Sequence, residues 1–543
     1  MIFGVPPALS FPYDLAFPAP VSPSAAILYM TSWFRCAPCG VRSAPHDLLT
    51  TGRAFARHIV FGVALLSVVF ALGLAAPRAQ AQIYVDADAS GAGDGSSWAN
   101  AYPDLQDALN VATGTDQIWI AAGTYTPTVP LDGNWVPSTT FLITGDQDGL
   151  KIYGGFNGTE TTLNQRDLGA GHETILSGDI GQDDAPFAPR ADSDGNPDTP
   201  TQTDHVNGGN SYHVLVFDGG YSIGPDVGAN VTPATVLDGV TVTGGQADGA
   251  VDGPTFNRRG GGLYCDGSGS GNACSPQITN AVFTGNSAGS RGAGGAIYNG
   301  ATNGGTSSPQ ITNVTFTGNV ADYGGAIYNK GNFEGTSSPQ ITNATFAGNT
   351  AYFNDGGAIY NDGFGGASRP QITNSILWGS GDEVFNNNAT PQYSHTLVRG
   401  LDLTGTGTGN LDGSTSNLVF VDAGDPNGPD DVFGTTDDGL RLALGSAALD
   451  AGDDAAVPLA EDITGAPRIQ DGTVDLGAYE GGVDTAVTFY VDAGATGAGN
   501  GLSWADAFSH LQDALSAATG NDQIWIAAGT YYPDEGTGVT GDD

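Results

Sequence analysis

The pentapeptide Pro-Gln-Ile-Thr-Asn begins at Pro276, Pro309, Pro339 and Pro370, at intervals of 33, 30 and 31 residues. Between these marks stand Phe-Thr-Gly-Asn at Phe283 and Phe316 and Phe-Ala-Gly-Asn at Phe346, and each is followed by Gly-Gly-Ala-Ile-Tyr-Asn, from Gly294, Gly324 and Gly356. A fixed period of this length is the mark of stacked coils. The apolar runs within a period are three residues long and bounded by Asn, Gly, Ser and Pro, so they read as strands and not helices. Stacked strands lie ~4.8 Å apart, which turns equivalent positions into columns. Ile278, Ile311, Ile341 and Ile372 form one apolar column. Phe283, Phe316, Phe346 and Leu377 form a second, and Ile297, Ile327 and Ile359 a third. Burying each large side chain contributes roughly 2 kcal/mol. No single coil can close its own core, so the pattern has to be repeated.

The polar positions are equally regular. Asn280, Asn313, Asn343 and Asn374 fall at a corner, and Asn tolerates the left-handed backbone that a corner needs. Asn286, Asn319 and Asn349 make a second column, and Asn299, Asn329 and Asn361 a third. Stacked amides of this kind hydrogen-bond along a column. These asparagines are read as corner residues, without a ligand.

The pairing of Phe-x-x-Asn with Gly-Gly-Ala-Ile resembles the repeats of chlamydial polymorphic outer-membrane proteins. More broadly, the chain is similar to the right-handed parallel β-helix, or pectin-lyase-like, superfamily. The resemblance implies an all-β solenoid. It does not imply one function, because this fold carries adhesins, lyases, hydrolases and inert stalks.

Residues 1–81 stand apart. Arg53 and Arg57 precede an apolar run from Ile59 to Ala76, and Arg-Ala-Gln-Ala-Gln follows. This order predicts an export signal cleaved after Ala81, with a membrane anchor as the other reading. The long stretch before Arg53 suggests a translation start downstream of Met1. Cys36 and Cys39 lie in this leader and are given no role. The mature chain is expected to have no transmembrane span and to be secreted or held at a bacterial cell surface.

The net charge of the 543 residues is −42. The leader holds five Arg and two Asp, so residues 82–543 carry 11 basic and 56 acidic side chains. Such acidity argues against nucleic-acid partners and anionic membrane surfaces. The 84 glycines follow no Gly-X-Y period, which excludes collagen.

Two domains are expected after the leader: one β-helix unit over 82–482, and the start of a second over 483–543. The first opens with a strand at Ile83–Asp86. A short amphipathic helix with Pro103 early and Leu105, Ala108, Leu109 and Ala112 on one face comes next. Placed before the first full strand, that helix suits a lid on the open end of the coil. An acidic loop between Gly181 and Ser211 sets Asp192, Asp194, Asn196 and Asp198 at alternate positions around Gly195. Alternating oxygen ligands suit Ca²⁺, though the spacing departs from the EF-hand; a solvated loop is the other reading. Cys265 and Cys274 flank a Gly/Ser loop in a chain expected to be exported, which suggests a disulfide, with two free thiols as the alternative.

After Leu377 the repeat decays. Residues 417–482 contain Gly-Ser-Ala-Ala-Leu-Asp-Ala-Gly and Val-Asp-Leu-Gly-Ala-Tyr-Glu, and they resemble the C-terminal part of the choice-of-anchor Q surface proteins. That resemblance implies closure of the β-helix ahead of an anchoring segment. Residues 490–533 then repeat residues 84–127 at a constant offset of 406, with 32 of 44 positions identical. A second unit is therefore expected to begin here and to need further coils to bury its core.

Three functional classes fit: an adhesin-like or glycan-binding surface rod, an extracellular polysaccharide lyase or hydrolase, and a structural stalk. An enzyme of this fold needs carboxylates, with or without Ca²⁺, and a basic group as proton acceptor. Beyond the leader there are two lysines, Lys151 and Lys330, and nine arginines. Arg258, Arg259, His205, His213 and Asp218 come nearest to a polar constellation, and they match no catalytic motif. A histidine in Tyr-His-Val-Leu-Val-Phe reads as a packed residue before a base. The expectation is a surface protein whose partners are extracellular glycans or other cell-surface molecules.

Overall fold

A computed structural model of the chain describes residues 81–532, apart from 129–137, 170, 183–208, 221–229, 251–253, 354–355, 380, 415–418, 471, 484–487, 498, 502 and 519–522. The leader short of Ala81, His205 and the acidic-loop residues Asp192, Asp194, Asn196 and Asp198 lie outside the described residues.

The strands pair in long parallel ladders, and the chain is a right-handed parallel β-helix. One sheet of 12 strands runs from Gln82–Val85 through Gln117–Ala121, Lys151–Phe156 and Val236–Asp238 to the four repeat strands beginning at Gln277, Gln310, Gln340 and Gln371. A second sheet of seven strands stacks Phe141–Thr144, Leu215–Asp218, Leu263–Asp266, Ile297–Thr302, Ile327–Asn332, Ile359–Asp362 and Val384–Asn387. Two ladders of two-residue strands complete the coils, one through Ser287–Ala288 and one through Ala273–Cys274.

The three expected apolar columns all lie inside, with every member at 0 % exposure. Their parity explains a detail of the repeat. Ile278 and Phe283 are an odd number of residues apart, so an unbroken strand would point them to opposite faces. Both point inward, because Asn280 takes φ 47° and shifts the alternation by one. Asn313, Asn343 and Asn374 do the same at φ 53°, 53° and 48°. The runs Gln-Ile-Thr and Val-Thr-Phe, expected as separate strands, are thus halves of one bent eight-residue strand.

Two further expectations change. The wording of the repeat ends at Leu377, but the coiling does not. One more coil follows, in which Val384–Asn387 pairs with Ile359–Asp362 and Gln392–Val398 with Gln371–Trp378. The initial helix, α1, spans Leu105–Val111, and Pro103 stays outside it. Asp104 is its N-cap, accepting from the Gln106 amide at 2.8 Å, because a carboxylate satisfies a free helix N–H that proline cannot. Leu105, Ala108 and Leu109 are buried against the first strand and Phe141–Thr144.

The Asn columns divide by role. Asn286, Asn319 and Asn349 form a buried amide ladder at 3.1 and 2.9 Å. Asn299, Asn329, Asn361 and Asn386 form another at 2.8, 2.9 and 2.9 Å. The bend column serves differently. Asn313 donates to Asn280 along it at 3.2 Å, and Asn313 also donates to the Glu461 carbonyl. Asn374 accepts from the Asp453 amide at 2.8 Å and donates to its carbonyl at 3.1 Å. Thr345 Oγ1 accepts from the Ala478 amide at 2.9 Å. The C-terminal segment therefore straps along the outside of the long sheet. There Val282, Ile376 and Leu397 pack with Leu440, Leu442, Leu476 and Tyr479 in a second apolar cluster.

Past the strap, Thr488–Val491 and Gln523–Ile526 pair in parallel, with helix α2 (Leu511–Ala517) between them. Each pair, from Thr488↔Gln523 to Val491↔Ile526, reproduces a pair of the first two strands of the chain at the same offset. Among the described residues no helix is long and apolar enough to cross a membrane.

Candidate functional site

The outward face of the seven-stranded sheet collects chemistry from distant parts of the chain. In Gly-Gly-Ala-Ile-Tyr-Asn the Ile and Asn point inward, so strand alternation sends the Tyr outward. Register then stacks Tyr264, Tyr298, Tyr328 and Tyr360 in one row. Successive ring centroids lie 5.4, 5.5 and 4.8 Å apart with interplanar angles of 3°, 14° and 9°. The rings cover one another and present edges and hydroxyls, so this row offers hydrogen bonds and not open stacking faces. Burial pushes the Tyr298 hydroxyl up to about 12, which keeps it a protonated donor.

Two positions further along each strand, on the same face, runs a charged row: Asp218, Asp266, Gly300, Lys330 and Asp362. Asp266 accepts from the Ser268 amide at 2.9 Å and from the Tyr264 hydroxyl at 3.2 Å. Asp362 accepts from Tyr328, Asn332 and Asn387 at 3.1, 2.9 and 3.0 Å. Gly300 makes the notch between Asp266 and Lys330, since a Cβ there would stand 2.8 Å from Tyr298 Cε1.

Arg259 arrives from the short turn before the third strand of the sheet, with Cζ 5.1 Å from the Tyr298 ring centroid, a cation–π contact. Arg259, Tyr264, Asp266, Tyr298 and Lys330 line one groove of about 390 Å³. Burial and the neighbouring Arg259 charge lower the Lys330 pKa, against the opposing pull of Asp362 and Asp266. A groove with two cations, a carboxylate and tyrosine hydroxyls can hold a polar ligand that carries a negative group.

Of the residues singled out from the sequence, Arg259 lines this groove and Asp218 stands at the end of its charged row. Arg258 is buried. His213 is 1 % exposed, its Nδ1 within 3.0 Å of the Gly260 carbonyl and its ring 5.4 Å from Tyr264. Burial drops its pKa to about 4, so it is neutral at pH 7. The carbonyl makes Nδ1 the protonated nitrogen, and Nε2 has no hydrogen-bond partner among the described residues. It is a packed residue, as its setting in the sequence suggested. Lys330, Asp266 and the tyrosine row were missed. The alternation of Ile, Tyr and Asn in the repeat was the signal that would have found the tyrosines.

Cys265 and Cys274 are bonded in the structure, with S–S 2.03 Å and Cα atoms 5.7 Å apart. Among the described residues no group of three or more His, Cys, Asp or Glu side chains is placed to hold a metal ion.

Residues 313–330 match the Chlamydia polymorphic membrane protein repeat. The matched segment runs from the Asn313 bend through Phe-Thr-Gly-Asn and Gly-Gly-Ala-Ile-Tyr-Asn to Lys330, so this repeat supplies one rung of the tyrosine row and one cation of the groove. Among solved structures, the crystal structure of a pectate lyase, Pel9A, is similar at a TM-score of 0.28 and 15 % identity, over 75 % of this chain and 97 % of that one. No curated protein matches this chain.

Proposed function

We propose that this chain is a secreted or cell-surface β-helix protein that binds extracellular glycans, in the manner of an adhesin, through the groove lined by Arg259, Asp266 and Lys330. The observation that carries the reading is the convergence of two of the chain's few cations on one outward groove in a protein of net charge −42. Cations kept in so acidic a chain are spent where they meet a ligand or a specific carboxylate. Asp266 and the tyrosine hydroxyls would accept from and donate to sugar hydroxyls, and Arg259 and Lys330 would take an acidic group. The repeat at 313–330 and the export signal expected in the leader support placement at the surface.

A second reading is favoured by one feature. Lys330 has a lowered pKa and stands beside Arg259, a pairing that suits proton abstraction next to a carboxylate held by a cation. This is the chemistry of a polysaccharide lyase.

One experiment separates the two. The exported chain is passed over immobilised acidic and neutral polysaccharides, with and without Ca²⁺, while unsaturated-uronate absorbance and reducing ends are followed. Retention without product, lost in Lys330→Gln, supports the binding module. Product formation supports the lyase. Neither retention nor product leaves the stalk and removes both.

A further inference from the structure

The surface that begins at Arg259 does not stop at Lys330. The strand that holds Lys330, Ile327–Asn332, and the next one, Ile359–Asp362, carry the tyrosine and charged rows onward to Tyr360 and Asp362. Aromatic residues flank both strands. Tyr323 precedes the first and Phe333 follows it; Phe353 precedes the second and Phe364 follows it. Ring centroids put Tyr323 5.4 Å from Phe353 and 5.7 Å from Tyr360, so this flank is continuous with the tyrosine row. On the other flank the Phe333 amide donates to the Phe364 carbonyl at 3.3 Å. The Phe364 amide in turn donates to Asp362 Oδ1 at 3.3 Å, which ties both phenylalanines to the end of the charged row.

These aromatics depart from the repeat. Tyr323 pairs with Ala293, which pairs with Arg259 one coil earlier. Phe333 corresponds to Asn303, since each follows directly on the matched pair Thr302↔Asn332. Both residues take the left-handed backbone, at φ 49° and 55°. Asparagine suits that conformation, whereas a bulky residue there is an outlier. Phe333 is also 59 % exposed, and Phe353 and Phe364 are each 57 % exposed. Phe333 therefore costs the turn twice, in backbone strain and in apolar surface left in water. Among the described residues from 261 to 398, the exposed large apolar side chains are Phe333, Tyr352, Phe353 and Phe364. All four are aromatic, and all lie on turns of these two coils. Exposed apolar groups gathered in one place mark a contact surface.

Resting on the reading of the groove as a glycan site, we infer that it continues as a channel for an acidic oligosaccharide, with a charged end at Arg259 and Lys330 and a stacking end flanked by Phe353, Phe333 and Phe364. The occupant follows from how the surface alternates. Aromatics stand on the two flanks, and tyrosine hydroxyls, Lys330 and Asp362 lie between them. A protein partner with one continuous apolar patch would lay its centre on those charges. A pyranose ring presents C–H faces and hydroxyl edges, which suit aromatic flanks and a hydrogen-bonding floor. The acidic sugar belongs at the charged end, where two cations meet its carboxylate. From Leu263 to Ile359 the sheet advances by three strands. That is ~14 Å at the spacing of paired strands, more than one sugar ring covers.

The test titrates the full chain by calorimetry with hyaluronan fragments, from disaccharide to octasaccharide. Hyaluronan alternates a uronate with a neutral N-acetylated sugar, so it offers both halves of the pattern. The octasaccharide should bind about tenfold tighter than the disaccharide. Phe333→Asn combined with Phe364→Ala should remove that gain and leave the disaccharide unchanged. Both side chains are exposed, and Asn is the residue of the preceding turn, so the coils should keep their fold. Phe333→Tyr with Phe364→Tyr should retain the gain, and Lys330→Gln should weaken every length. Equal affinity at all lengths, or a gain that survives Phe333→Asn with Phe364→Ala, overturns the channel and leaves the groove. No binding of any fragment overturns the channel too, and only silence of the polysaccharide panel as well removes the glycan reading.

Discussion

Asn299 gives its side-chain amide to Asn329 at 2.8 Å, while its own buried Oδ1 accepts from nothing among the described residues. The reason lies one coil earlier. Cys265 holds the position from which an asparagine would donate to that oxygen, and it is bonded to Cys274. The ladder therefore starts where the disulfide ends. Cys274 is likewise in register with Ser307, and Ser307, Ser337 and Ser368 hold the corresponding place in later coils.

This relationship predicts a non-additive pair of substitutions. Opening the bridge with Cys265→Ala and Cys274→Ala should cost about 3 kcal/mol, as for a short closed loop. Cys265→Asn with Cys274→Ser converts the coil to the chemistry of its neighbours and gives Asn299 a donor. It should be about 1 kcal/mol more stable than the double alanine variant, the worth of one buried hydrogen bond. Urea midpoints of the two variants decide it, and equal midpoints would sink the ladder argument.

Phe316 is fully buried between Phe283 and Phe346, with ring centroids at 5.4 and 4.5 Å. Phe316→Ala opens a cavity in the middle of a column and should cost about 3–5 kcal/mol. Phe316→Leu should cost far less, because most of the volume remains. Thermal unfolding of both variants tests the order.

Asn374 does two things, and they can be separated. Asn374→Gly keeps a residue suited to φ 48° but removes both bonds to Asp453. Faster amide exchange around Asp453, with the repeat coils unchanged, is the expected outcome. Asn374→Ala should cost roughly 1 kcal/mol more, from the left-handed strain. If the glycine variant leaves exchange at Asp453 untouched, the side-chain clamp is not what holds the strap.

Asp438 is buried within the strap, accepting from the Tyr479 hydroxyl at 2.6 Å and the Gly434 amide at 2.8 Å. Burial raises its pKa to about 6, above the value of a free carboxyl. The folded state then holds a proton that the unfolded chain gives up sooner. The stability from this group is fully present below pH ~4 and is lost as pH rises through about 6. Strap amides should accordingly exchange faster at pH 7 than at pH 5, after correction for the intrinsic rate. Asp438→Asn should flatten that difference, and a slope unchanged in the variant would assign it to another group.

At the groove, Arg259→Gln and Lys330→Gln should each weaken retention on an acidic glycan by about tenfold, within the worth of one charged hydrogen bond. Gly300→Val should abolish it by driving a side chain against Tyr298 and filling the notch. Circular dichroism checks that the coils remain. Unchanged retention in both glutamine variants would move the binding site elsewhere.

Much of this was legible in the chain. The inward columns of Ile278, Phe283 and Ile297 follow from a period and from alternation, which are local properties. So does the left-handed bend at Asn280, because few residues other than Asn and Gly tolerate it. The extra coil after Leu377 was not legible. Its residues Val384, Phe385, Tyr393 and Val398 continue the apolar and aromatic columns with none of the repeated wording, and packing reads shape and apolarity.

The sequence by itself determined the coil, its period and which residues of each repeat face inward, because one strand turn already decides those and stacking only multiplies the decision. It also determined that the second copy is built like the first. Only the tertiary structure decided that Arg259, Asp266 and Lys330 share a groove, and that the bend asparagines hold the strap instead of only one another. Those outcomes depend on which coil lies beside which and on where a long segment comes to rest, and both are set by contacts between residues far apart in the chain.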